Sequence, residues 1–108
     1  MIFHWISSLL LDLFAEKQRT RNAFLRGNIH YTAETKRTVF KESVWDLRKI
    51  KDPAELLKQD AYIKQLSQDL AKDFQSDSTL SQTLEEIMIN LSQGNPDWKK
   101  IQALLKKL

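Results

Sequence analysis

Apolar residues recur along this chain at intervals of three and four, and no stretch sustains the every-second-residue alternation of a half-buried strand. Phe3, Ile6, Leu10, Leu13 and Phe14 fall on one helical stripe, which Trp5, Leu9 and Leu11 widen nearly all the way round. A helix apolar on so many sides is expected to be buried. The spacing predicts this first helix from about Ile2 to Arg26, although the polar and basic run Glu16 to Asn22 interrupts its stripe and leaves its continuity open. Ala23, Phe24 and Leu25 restore the pattern, and Gly27 stands where a left-handed residue ends a helix.

Four more elements follow. After a connector at Asn28 to Tyr31, Thr32 is placed to cap a second helix with Glu34 in its first turn. Val39, Phe40, Val44, Leu47 and Ile50 form a narrow apolar face along it, with Trp45 beside them and Arg48, Lys49 and Lys51 at the far end. Asp52-Pro53-Ala54-Glu55 is a sharp helix start: a capping carboxylate, a proline whose φ is already helical, and a glutamate at the third position. That third helix carries Leu56, Ile63, Leu66, Leu70 and Phe74 on one face, with Leu57, Ala61 and Ala71 at its margin. Gln75 to Thr79 reads as a turn. A fourth helix with Leu80, Leu84, Ile87, Met88 and Leu91 is expected to stop at Gly94. Asn95-Pro96 repeats the cap-and-proline device and opens a fifth helix bearing Trp98, Ile101, Leu104, Leu105 and Leu108. Short connections favour antiparallel neighbours, so the expected fold is all-α, a compact antiparallel bundle of about five helices.

The 108 residues suit one domain spanning 1–108, and a 42% hydrophobic, 29% charged composition is that of a folded chain. No cysteine is present, which removes disulfides and thiolate metal sites and fits a cytoplasmic protein. The apolar run Ile2 to Phe14 is too short to span a bilayer and lacks the basic flank of a secretory signal. Its polar face has no lysine or arginine to attract anionic lipid, so burial in the protein's own core is its expected fate. A first helix apolar on several sides also leaves room for a homodimer.

Charge changes the picture more than composition does. Residues 16–51 carry a net +6 and residues 52–97 a net −6, while four lysines and no acid follow Trp98. Either the two regions complement each other, or the basic one faces an anionic partner.

Chemistry is sparse. His4 and His30 lie on different elements without partners at ligand spacing, so no metal and no cofactor is expected. Glu85 and Glu86 diverge by about 100° around a helix and are poorly placed to share a site. The serines have no glycine-rich elbow, and an enzyme is not expected.

Two kinds of partner remain. The first is another protein, met through an apolar surface at Trp5, Trp45 or Trp98. The second is nucleic acid. Ala23-Phe24-Leu25-Arg26-Gly27 followed by a helix from Thr32 resembles a helix-turn-helix, with Lys36 and Arg37 where an aliphatic residue would dock. Arg19, Arg21, Arg26, Lys36, Arg37 and Lys41 would then track phosphates from one face. In size, helix count, basic isoelectric point and lack of cysteine, the chain resembles the small immunity proteins that protect bacteriocin-producing bacteria. That architectural likeness implies an antiparallel helical bundle serving as an inhibitor, immunity or regulatory factor.

Overall fold

The computed structural model describes residues 19–27 and 30–108, and it is all-α. The chain divides between His30 and Tyr31 into two units. Of the first, residues 19–25 are helical, so the later part of the polar run Glu16 to Asn22 keeps a helical backbone. That helix ends at Gly27 with φ +78°, the left-handed backbone expected there, which an L side chain would strain. Trp5, His4 and the apolar run Ile2 to Phe14 lie outside the described residues.

The second unit holds four helices: α1 (Ala33–Asp46), α2 (Pro53–Asp73), α3 (Ser78–Ser92) and α4 (Trp98–Lys107), with a 3₁₀ turn at Leu47–Lys49. Each start is set by a side chain that accepts an otherwise orphaned amide of the first turn. Thr32 accepts from the Thr35 amide, Asp52 from that of Ala54, Asp77 from that of Leu80, and Asp97 from that of Lys100.

Four boundaries differ from the expected ones, the first being the start of α3 at Ser78, inside the expected turn Gln75 to Thr79. The apolar face running to Ile50 suggested a helix to the end of the basic cluster, but α1 stops at Asp46 and tightens into the 3₁₀ turn. Gly94 is not left-handed, because α3 has already ended at Ser92. The last helix is capped by Asp97 rather than Asn95, which moves Pro96 ahead of the cap.

The core is built from the stripes that face inward. Phe40 and Val44 of α1 and Tyr62, Ile63, Leu66 and Leu70 of α2 are buried, as are Phe74, Leu84, Ile87, Ile101, Leu104, Leu105 and Leu108. Helices α1 and α2 run antiparallel: the ammonium of Lys36 lies 3.0 Å from the Asp73 carboxylate, while Gln59 donates to the Ser43 carbonyl further up the pair. The Lys36–Asp73 bridge joins the basic region to the acidic one. Tyr62 sits one helical position from Ile63, and its hydroxyl lies 3.1 Å from that of Tyr31.

Four polar residues are buried with this core: Ser43, Gln59, Thr83 and Asn90. Thr83 and Asn90 return their polar atoms to carbonyls one turn back, at Thr79 and Glu86, and so enter an apolar stripe without an unmade bond. Ser43 differs: its hydroxyl is buried with no hydrogen-bond partner.

Candidate functional site

One consequence of the early end of α1 is a groove. Leu56 begins the apolar stripe of α2 and shares a cleft with Leu47 of the 3₁₀ turn rather than with a residue of α1. It remains 42% exposed. Leu57 lies about 100° further round the helix and is 72% exposed. Both residues, with Pro53 and Asp60, form one wall of a cleft of about 540 Å³. Leu47 of the 3₁₀ turn closes one side, and Leu91 at the end of α3 closes another. Pro96 and Trp98, around the start of α4, complete it.

The floor is stiffened by an aromatic pair. The indoles of Trp98 and Trp45 meet edge to face with centroids 6.2 Å apart, the arrangement favoured by ring quadrupoles. Both rings are half-buried. On the other side of Trp45 the Arg48 guanidinium stacks 3.3 Å from the ring centroid, and its Nε donates to the Trp45 carbonyl at 3.0 Å. Trp45 also borders a shallower depression of about 280 Å³ with Lys41, Gln102, Leu105 and Lys106. The tryptophan pair thus separates two surface recesses, of which the one beneath Leu57 is the larger.

Single exposed leucines are ordinary on protein surfaces. Two adjacent ones in a cleft floored by a tryptophan and bordered by two more leucines and two prolines are not. The groove exposes a contiguous apolar surface with a single carboxylate, Asp60, which pairs with Lys64 at 2.9 Å. Of the three tryptophans singled out in the sequence, Trp98 lines this groove and Trp45 supports it, while Trp5 lies outside the described residues. Leu47, Leu56, Leu57 and Leu91 were expected on or beside core stripes. No sequence signal marks their exposure, since adjacent helical positions do reach the core elsewhere, at Tyr62 and Ile63 and at Leu104 and Leu105.

The six basic residues are placed in two groups. Arg19 and Arg26 are exposed, and Arg21 is half-buried, on the helical segment before Gly27. Lys36, Arg37 and Lys41 are half-buried on α1. Lys36 is held by Asp73. Arg37 lies over the Phe74 ring, 5.0 Å from its centroid, and donates to the Leu108 carbonyl at 3.2 Å. Lys36 and Lys41 diverge by about 140° around the helix. The two segments of the helix-turn-helix-like stretch fall on either side of the division at His30.

Among the described residues no group of three His, Asp or Glu side chains converges in a way that could hold a metal ion. Among them, too, no helix is long and apolar enough to cross a membrane. No family model, curated protein or solved structure matches this chain.

Proposed function

We propose that this chain is a small non-enzymatic helical module that binds another protein through the groove beneath Leu57, in the manner of an inhibitor, immunity or regulatory factor. The observation that carries the proposal is the exposed pair Leu56 and Leu57 over a cleft ending at Trp98. Moving a leucine from full exposure to full burial is worth about 1.5–3 kcal/mol, and Leu57 has most of that still to gain. An apolar groove between helices is a form in which the anchors of a partner helix are seated.

Nucleic-acid binding through the basic region has less support. Two of its six residues, Lys36 and Arg37, spend their charge on contacts within the protein.

The test is affinity capture from the native cell with the wild-type chain and with Leu57→Asp, each from lysate with and without nuclease. The expected result is a protein retained after nuclease treatment and lost with Leu57→Asp. Retention by both chains alike, or loss on nuclease treatment alone, would count against the proposal.

A further inference from the structure

The charges around the groove identify the kind of protein it would hold. Every acid near the cleft is already engaged. Asp52 and Asp97 accept helix-start amides, Glu55 pairs with Lys58, and Asp60 pairs with Lys64. Of the cations, Arg48 is held against Trp45, but among the described residues no hydrogen bond or ion pair engages the side chains of Lys49, Lys51, Lys99 and Lys100. Arg48, Lys49 and Lys51 lie on the connector between the groove residues Leu47 and Pro53, and Lys99 and Lys100 follow Trp98. Among the described residues none of these five has a carboxylate within ion-pair distance. A capping amide leaves its carboxylate charged, so Asp46 and Asp52 stand against Arg48, Lys49 and Lys51 at one end and Asp97 against Lys99 and Lys100 at the other, which leaves each end of the cleft at a net +1.

We infer that the groove takes an acidic amphipathic helix of a partner protein, its apolar residues seated against Leu56, Leu57 and Trp98 and its carboxylates against Lys49 and Lys51. This rests on the docking role proposed above and names its ligand. The groove walls are side chains of helices, with no free strand edge among the described residues. A helix presenting apolar anchors at i, i+3 or i+4, and i+7 therefore fits better than an added strand. A flanking row of glutamates or aspartates would complement the cations, guide encounter and fix the register. A second copy of this chain suits the groove less. A two-fold interface brings the same patch from both sides and would set one cationic lip against the other.

The test is selection of a displayed library of helix-forming peptides, randomised in charge and in apolar spacing, on the full chain. Leu57→Asp and the double variant Lys49→Glu/Lys51→Glu serve as parallel targets. Lys49 and Lys51 are exposed, so the double variant is expected to keep the fold. The expected winners combine apolar residues at helical spacing with an excess of acids over bases. They should fail on Leu57→Asp, and they should lose about tenfold or more in affinity on the charge-reversed variant, a change of roughly 1.4 kcal/mol. Leu57-dependent winners without an acidic excess would overturn this inference and leave the docking role standing. Winners that bind Leu57→Asp equally well, or no Leu57-dependent winners at all, would overturn both.

Discussion

Trp98 and Trp45 stand edge to face at 79°, one ring lining the groove and the other held beneath Arg48. The pair joins two parts of the chain that are remote in sequence: the end of α1 with its 3₁₀ turn, and the first residue of α4. A rigid aromatic floor with exposed leucines above it is what a docking helix requires, because little side-chain order has to be created on binding.

The groove account separates binding from stability at Leu57. With 72% of its surface already in water, Leu57→Asp should change unfolding free energy by no more than about 0.5 kcal/mol. Urea denaturation followed by circular dichroism measures this. A loss of several kcal/mol would show that Leu57 belongs to the core.

The cap of α4 can be tested by two substitutions. Asp97→Ala removes the carboxylate that accepts the Lys100 amide and should cost about 0.5–2 kcal/mol. Asn95→Ala should stay within about 0.5 kcal/mol, because Asn95 is exposed and precedes the cap. The opposite ranking of the two midpoints would place the helix start at Asn95-Pro96.

This boundary shows where local sequence logic held and where it did not. Thr32, Asp52 and Gly27 act through bonds and dihedrals within a turn of themselves, so their roles could be read from residue type and spacing. Asn95-Pro96 and Asp97 offered two caps in three residues, and the choice fell to the carboxylate. The ends of helices were harder to read, since α1 stops where its apolar stripe continues. Tyr62, Gln59, Thr83 and Asn90 entered the core because tertiary contacts or one-turn back-bonds satisfied their polar atoms. The groove was legible only in part. Trp45 and Trp98 stood out as large apolar residues, but the exposure of Leu56 depends on where the neighbouring helix ends, which the apolar pattern did not mark.

Ser43 carries a cost that can be relieved. Its hydroxyl is buried without a partner, and an unmade bond of that kind costs about 1–3 kcal/mol. Ser43→Ala removes the hydroxyl, keeps the carbonyl that accepts from Gln59, and improves helix propensity. It should stabilise the protein by up to about 1 kcal/mol. A clear loss of stability in the same denaturation assay would show that the hydroxyl is bonded in solution.

Arg37 and Lys36 should differ although both are half-buried cations on α1. Arg37→Ala loses the stack on Phe74 and the bond to the Leu108 carbonyl, together worth about 1–3 kcal/mol. Lys36→Ala gives up an ion pair still open to solvent, worth about 1 kcal/mol or less. Equal and negligible effects on thermal unfolding would return both side chains to the pool of free surface cations.

Occupation of the cleft beneath Leu57 by another protein can be captured in the cell. A photo-crosslinking amino acid placed at Leu57 in the native cell addresses it most directly, with the same group at Lys72, on the exposed face of α2, as the control. One discrete protein adduct is expected from position 57 and none from position 72. Adducts from both positions alike, or from neither, would contradict it.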